Sequence, residues 1–204
     1  MEEPHDESFE KLDKLYKSGD VPWDKELPPP EVIELASSLE PGRALDLGCG
    51  YGRATIYLAQ LGWQVDGIDF IPDAIAVAAK RSREVGVSAR FHIASIIDLG
   101  FLSGTYDLAI DVGCGHNLSS EALVQYRDLL RGLLRPGGYF LIFARMRTDD
   151  QEESETGPSG INQEYLLSTF STGFELEWHS VGETNFEDGP GWPSAWFRFK
   201  ALSL

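Results

Sequence analysis

Basic residues are scarce in this sequence. Its 204 residues include 17 Lys and Arg against 33 Asp and Glu, which gives a formal net charge of −16 at pH 7. A protein that binds nucleic acid or an anionic membrane surface needs a basic face to attract phosphate groups. The composition therefore argues against both kinds of partner.

Long apolar runs, cysteines and patterned histidines are also scarce. No apolar segment reaches the ~18 residues of a membrane-spanning helix, and the N-terminal MEEPHDESFE is acidic, unlike a signal peptide. Two cysteines, Cys49 and Cys114, cannot form a disulfide framework, and the four histidines lack metal-ligand spacing. We therefore predict a cytoplasmic protein with no membrane segment and no metal site.

Short apolar segments alternate with segments of helical periodicity. Strands are predicted at 44–48, 63–70, 89–95, 106–113 and 139–145. Helices are predicted at 31–39, 53–62, 74–86 with Asp73 as its cap, 119–134 and 162–170. The alternation predicts a parallel sheet with helices on both faces. Two last strands, 174–183 and 195–202, have no helix between them and should pair antiparallel.

The segment DLGCGYG, residues 46–52, lies between a predicted strand and a predicted helix. Its glycines allow a tight turn and let a ligand lie against bare backbone. Asp69 ends the next strand about 20 residues on, where a carboxylate can accept hydrogen bonds from a ribose diol. The two features together predict an adenosine-type ligand.

Three interpretations of this loop compete. The first is a glycine turn that only fits a helix to a strand. The second is a dinucleotide site, which would show G-x-G-x-x-G, whereas this loop has G-x-G-x-G with Asp46 two residues before the first glycine. A carboxylate there would repel a pyrophosphate but help to hold an ammonium group. This favours the third interpretation, a ligand with a cationic amino-acid end.

The segments ALDLGCGYGR, GIDF and LLRPGGYFLIF resemble the class I S-adenosylmethionine-dependent methyltransferases, and the resemblance covers residues 40–145. YKSGDVPWD (16–24) and VGCGHNL (112–118) are similar to the small-molecule branch with the thiopurine and tellurite-resistance methyltransferases. The resemblance implies an α/β, Rossmann-like fold with a seven-stranded, mostly parallel sheet and a C-terminal antiparallel strand pair. It also implies an N-terminal lid segment (1–30) and a single methyltransferase domain (31–204).

The resemblance implies S-adenosylmethionine as cofactor and S-adenosylhomocysteine as product. It places these residues around the cofactor: Trp23, Asp46, Gly48, Gly50, Gly52, Asp69, Phe70, Ile71, Ser95, Ile96, Asp111 and Val112. The aspartate and glycines of the loop would surround the methionine part, and Asp69 would bind the ribose hydroxyls. Phe70 and Ile71 would pack against the adenine or ribose. Ser95 stands where the family often has an aspartate for the adenine amino group.

On the acceptor side, His116 is the titratable candidate. It would remove or receive an acceptor proton or position the substrate, or it is a loop histidine that satisfies nearby backbone. Cys49 and Cys114 are expected to be small residues at turns rather than nucleophiles. Arg145 and Arg147 follow the fifth strand, where they would select an anionic acceptor or pair with the acidic 149–155 stretch, a predicted solvated loop.

The predicted function is methyl transfer from S-adenosylmethionine to a small-molecule nucleophile (S, Se, Te, N or O). Two alternatives stay open: a non-catalytic protein that binds S-adenosylmethionine or S-adenosylhomocysteine, and, less favoured by the loop spacing, an NAD-linked oxidoreductase. The sequence predicts no oligomeric state.

Overall fold

The computed structural model describes residues 5–19, 21–147, 160–186 and 189–203. The chain divides into two compact units, Met1–Ser95 and Ile96–Leu204. Strands and helices alternate in both units.

The first unit opens with two helices and continues as three strands separated by two further helices. Its elements are α1 (His5–Ser18), α2 (Pro30–Ser38), β1 (Arg43–Leu47), α3 (Arg53–Gln60), β2 (Gln64–Asp69), α4 (Pro72–Glu84) and β3 (Arg90–Ile93). The strand β2 pairs in parallel with β1 on one side and β3 on the other. Leu45, Leu47 and Ile68 are fully buried, as expected for parallel strands covered on both faces.

Two features of the first unit differ from the sequence predictions. The helix α1 was not predicted, although Phe9, Leu12 and Tyr16 have helical spacing and lie in one hydrophobic cluster. Asp73 is not the cap of α4: the cap position is Ile71, and Pro72 takes the first turn, where its fixed φ is preorganised for a helix. Asp73 lies within that first turn, where a carboxylate still favours the helix dipole.

The second unit contains two strands followed by a hairpin of two long strands. One helix precedes the second of the first two strands, and another precedes the hairpin. Its elements are β4 (Tyr106–Val112), a 3-10 turn (Gly115–Asn117), α5 (Ser120–Leu133), β5 (Leu134–Arg147), β6 (Ile161–Asn162), α6 (Gln163–Phe170), β7 (Phe174–Phe186) and β8 (Gly189–Ala201). β4 and β5 are parallel, whereas β8 runs antiparallel to both β5 and β7. Stacked rings of Phe140, Phe170 and Phe199 form its aromatic core.

The predicted α/β fold with mostly parallel strands and a closing antiparallel pair is confirmed. The two-residue β6, parallel to β5, adds an eighth strand among the described residues to the seven predicted. β5 begins at Leu134 rather than 139, because Gly137 (φ +76°) and Gly138 form an irregularity inside the strand instead of a turn before it. The acidic 149–155 stretch lies outside the described residues.

Within the part of the chain that the structure describes, no helix has both the length and the apolar character needed to cross a bilayer.

Candidate functional site

The glycine loop after β1 has the backbone that its sequence predicts. Gly48, Gly50 and Gly52 adopt φ angles of +71°, +53° and +79°, which L side chains rarely tolerate. The amides of Gly48 and Cys49 both donate to the Ile68 carbonyl, at 2.8 and 2.9 Å. Gly52 occupies the cap position of α3, and no side chain caps that helix. The loop therefore brings backbone groups rather than side chains to the carboxyl end of β1.

Asp69 joins the end of β2 to this loop. Its Oδ2 accepts a hydrogen bond from the Gly50 amide and its Oδ1 one from the Ile71 amide, each 2.9 Å long. The side chain is only 5% exposed, and this burial raises the pKa of the carboxyl, while the backbone N–H groups oppose the shift. An ionised carboxylate has about four acceptor positions, so Asp69 can still accept from hydroxyl groups of a ligand.

Asp46 and Cys49 are buried beside the loop. The hydroxyl of Thr55, on α3, donates to Asp46 Oδ2 at 2.5 Å. A Cβ on Gly67 would lie 2.9 Å from the same hydroxyl and 3.2 Å from Cys49 Sγ, so only small side chains fit there. This crowding explains why a small side chain stands at position 49. The buried carboxylate of Asp46 places a negative charge beside the loop.

Tyr16, on α1, covers the glycine loop. Its ring is buried, and its hydroxyl lies 2.8 Å from the position that a Cβ on Gly50 would take. Trp23 Nε1 donates to that hydroxyl at 3.3 Å, and the Tyr51 hydroxyl donates to the Tyr16 carbonyl at 2.8 Å. Trp23 itself is 46% exposed. The structure thus connects the predicted residue Trp23 to the loop through Tyr16.

An ion pair fastens the same N-terminal segment to α4. Both terminal nitrogens of Arg81 donate to the Asp24 carboxylate, each at 2.8 Å. The guanidinium also lies over the Tyr51 ring, 4.8 Å from its centroid. Asp24 and Arg81 are 57 positions apart, so no local pattern in the sequence predicted their contact.

The predicted residues that follow β2 and β3 differ in accessibility. Phe70 is half-buried, with its ring 5.8 Å from that of Phe9. The side chain of Ile71 is fully buried in the cluster around Tyr16. Ile71 therefore takes part in the site through its amide, which donates to Asp69, and not through its side chain. Ser95 is half-buried. The buried Ile96 belongs to the second unit and lies ahead of β4.

In the second unit, Asp111 organises the loop after β4. Its carboxylate is fully buried and accepts from the Cys114 amide (2.8 Å), the Gly115 amide (2.9 Å) and the Tyr126 hydroxyl (2.8 Å). Burial raises the pKa of this carboxyl to about 6, although the three donors oppose the shift. The neighbouring Val112 is half-buried. The family resemblance placed Asp111 around the cofactor, and the structure shows that its side chain shapes the loop after β4.

His116 lies in that loop and is only 6% exposed. Within the described residues its buried Nδ1 has no hydrogen-bond partner. Burial lowers the pKa of the imidazole to about 4, and the positive charge of Arg145 adds to the shift. The ring is therefore neutral at pH 7 and a weak base. A neutral ring suits substrate positioning better than proton transfer, and the role of His116 stays a prediction.

No group of three His, Cys, Asp or Glu side chains suited to a metal ion is found within the described ranges.

Comparisons with known proteins agree with this arrangement. Residues 44–138 match the family described as "Methyltransferase domain". The ubiquinone biosynthesis O-methyltransferase of Xanthomonas axonopodis pv. citri is 32% identical over 151 residues, which cover 67% of this chain and 61% of that protein. The probable S-adenosyl-L-methionine-dependent methyltransferase TehB of Haemophilus influenzae is 30% identical over 122 residues, or 59% and 42% of the two chains. The matched residues thus span 61% and 42% of these two curated relatives, less than two thirds of either.

The fold recurs in solved structures. The Burkholderia thailandensis 1,6-didemethyltoxoflavin-N1-methyltransferase, solved with 1,6-didemethyltoxoflavin and S-adenosylhomocysteine, superposes with a TM-score of 0.74 at 20% identity. The superposition covers 100% of this chain and 92% of that one. The fold and the family match together define a methyltransferase of the Rossmann-like class. The chain belongs to the class I S-adenosylmethionine-dependent methyltransferases, and the cofactor of this family is S-adenosylmethionine.

Proposed function

We propose that this chain transfers a methyl group from S-adenosylmethionine to a small-molecule nucleophile by in-line displacement. The observation that carries the proposal is the 2.9 Å hydrogen bond from the Gly50 amide to Asp69 Oδ2. It holds a left-handed glycine loop against a buried carboxylate, and a ligand that combines an amino-acid end with a ribose needs both.

The residues of the first unit fit the cofactor chemically. Asp46 supplies a buried negative charge for an ammonium group, and Asp69 retains acceptor capacity for ribose hydroxyls. Further residues of this unit that we assign to the site are Trp23, Gly48, Gly52, Phe70, Ile71 and Ser95. The assignment of Ile96, Asp111 and Val112 stays a prediction from the family resemblance.

When bound, S-adenosylmethionine supplies an electrophilic methyl group on a positively charged sulfur. Displacement at such a carbon requires no covalent enzyme intermediate, so the tasks of the chain are alignment and exclusion of water. We assign the second task to the N-terminal lid segment, residues 1–30. Its Tyr16 already covers Gly50, and the Asp24–Arg81 ion pair holds the segment in that position.

Composition and relatives support a small-molecule acceptor. The net charge of −16 disfavours a polyanionic substrate. The Xanthomonas relative is named for O-methylation in ubiquinone biosynthesis, which is small-molecule chemistry. We place the chain in the cytoplasm, where its two cysteines, Cys49 and Cys114, would stay reduced.

Calorimetry followed by an activity screen tests the proposal. We expect S-adenosylhomocysteine to bind and NADH not to bind. In the screen, the protein is incubated with S-adenosylmethionine and a panel of thiols, phenols, amines, selenite and tellurite, and released S-adenosylhomocysteine is measured. Binding without turnover of any acceptor would support the non-catalytic binder instead. NADH binding alone would support an oxidoreductase, and turnover only with RNA, DNA or protein would reject a small-molecule acceptor.

A further inference from the structure

Four side chains of the second unit form a cluster that the cofactor assignment does not use. Phe143 and Arg145 come from β5, His116 from the loop after β4, and Trp192 from β8. The Trp192 ring centroid is 6.0 Å from that of Phe143 and 6.5 Å from that of His116, and Arg145 lies over the same ring at 5.5 Å. We call these four residues the aromatic–arginine cluster.

Two polar groups of the cluster lack the partners that such groups normally have. Within the described residues, His116 Nδ1 accepts and donates no hydrogen bond, although it is buried. A buried polar atom without a partner costs on the order of 1–3 kcal/mol of stability, so its retention needs a reason. Arg145 forms no ion pair with a carboxylate in the described ranges, whereas Arg135, on the same strand, pairs with Asp107.

The aromatic members of the cluster retain accessible surface. Phe143 and Trp192 are half-buried, as is Arg145. Phe143 and Arg145 are two positions apart on β5, so both side chains project to the same face of the strand. Trp196 packs against Phe143 from the neighbouring strand, with the ring centroids 5.0 Å apart, and is itself buried. The cluster thus packs against the core on one side, while Phe143, Trp192 and Arg145 leave part of an aromatic and cationic surface accessible.

We propose that the aromatic–arginine cluster is the acceptor subsite and selects a planar aromatic acceptor that carries a negative charge. The faces of Phe143 and Trp192 would stack on the acceptor ring. The Arg145 guanidinium would pair with a carboxylate or an ionised hydroxyl, and its planar fork suits such an oxyanion. His116 Nδ1 would gain its missing hydrogen-bond partner from the acceptor. This inference rests on the proposed function.

The nature of His116 agrees with an acceptor that is already ionised. Its imidazole, with a pKa of about 4, is a poor proton acceptor at neutral pH. A neutral acceptor with a high pKa would need a stronger base than this ring. An acceptor that is anionic at pH 7 needs none, and the positive charge of Arg145 favours its ionised form.

Binding of three probes to the full chain, saturated with S-adenosylhomocysteine, tests this inference by calorimetry. The probes are 2-naphthoate (aromatic and anionic), 2-naphthamide (aromatic and neutral) and cyclohexanecarboxylate (anionic but not aromatic). We expect 2-naphthoate to bind at least about tenfold more tightly than either of the others, because only it satisfies both ring and charge. Equal affinities for 2-naphthoate and 2-naphthamide would overturn the charge selection, and equal affinities for the two carboxylates would overturn the aromatic selection.

Variants assign the selection to individual residues. Arg145→Gln should abolish the preference for 2-naphthoate over 2-naphthamide, and Arg145→Lys, which keeps the charge, should restore part of it. The matched control Arg135→Gln removes the same charge from the other end of β5 and should preserve the preference. Trp192→Leu should weaken both naphthyl probes about equally. An unchanged preference in Arg145→Gln, or its loss in Arg135→Gln, would contradict the assignment.

Failure of this inference is distinguishable from failure of the proposed function. Each variant is also titrated with S-adenosylhomocysteine alone and examined by circular dichroism. If S-adenosylhomocysteine binds the folded protein but the probes show no selection, only the acceptor subsite is wrong. If S-adenosylhomocysteine itself does not bind the wild-type chain, the proposed function fails first and the subsite falls with it.

Discussion

The hydroxyl of Tyr16 lies 2.8 Å from the position that a Cβ on Gly50 would occupy, so the N-terminal helix rests directly on the glycine loop. Substitution Gly50→Ala should therefore act in two ways. It strains a backbone with φ at +53°, and it pushes the Tyr16 ring away from the loop. We expect a loss of about 2 kcal/mol or more in the free energy of unfolding and a clear loss of S-adenosylhomocysteine affinity.

Gly86→Ala separates backbone strain from crowding. Gly86 has a similar φ of +72°, but nothing lies within 4 Å of a Cβ placed there. It should cost about 1 kcal/mol through strain alone and leave ligand affinity unchanged. Adding Tyr16→Phe to Gly50→Ala removes the clashing oxygen and should recover part of the lost stability. Urea unfolding and calorimetry measure both quantities. If Gly50→Ala and Gly86→Ala changed stability and ligand affinity equally, Tyr16 would not crowd the glycine loop.

Asp69→Asn tests the carboxylate that links β2 to the loop. The amide keeps the size of the side chain but directs an NH₂ group toward either the Gly50 or the Ile71 amide, which both donate. We expect S-adenosylhomocysteine affinity to fall by about 1–3 kcal/mol, because charge-assisted hydrogen bonds are lost. The control Asp73→Asn lies on the exposed face of α4 and should bind as the wild type does. Unchanged calorimetric affinity in Asp69→Asn would reject the site.

Arg81→Gln tests how the N-terminal segment is held. The variant loses the bidentate contact with Asp24 and the packing of the guanidinium over Tyr51. Because the pair is partly exposed, its loss should change the free energy of unfolding by less than about 1 kcal/mol. The amides of Gly19 and Asp24, which bond the carbonyls of Tyr16 and Val21, should nevertheless exchange hydrogen faster. Arg83→Gln, exposed on the same helix, is the control. Equal exchange in both variants would show that the ion pair does not hold the segment.

Local patterns predicted most of the fold, since strand and helix periodicity depends on neighbours in the sequence. The glycine loop and Asp69 were also predictable, because a tight turn and a strand end each leave a short signature. The contacts of Tyr16 with Gly50 and of Asp24 with Arg81 were not, because they join residues 34 and 57 positions apart. The burial of His116 was likewise not predictable, since it depends on the packing of rings that are distant in the sequence.

His116 and Asp111 should give opposite pH dependences of stability. The folded state lowers the pKa of His116 from 6.5 to about 4, so the unfolded chain binds more protons in that range and stability falls on acidification from pH 6.5 to 4. The folded state raises the pKa of Asp111 from 3.8 to about 6, so stability falls as the pH rises through that range. The two effects largely cancel between about pH 4 and pH 6.

His116→Gln removes the imidazole, and with it the loss of stability on acidification. Relative to the wild type, the variant should become more stable by about 2–3 kcal/mol when the pH is lowered from 7 to 4.5, because the wild type alone must then protonate a buried imidazole. Urea unfolding at the two pH values measures this difference, whatever constant offset the substitution adds. The exposed His179 on β7 offers a matched control, and His179→Gln should show no such pH-dependent gain. A His116→Gln offset that is identical at both pH values would mean that the imidazole is not held neutral by its burial.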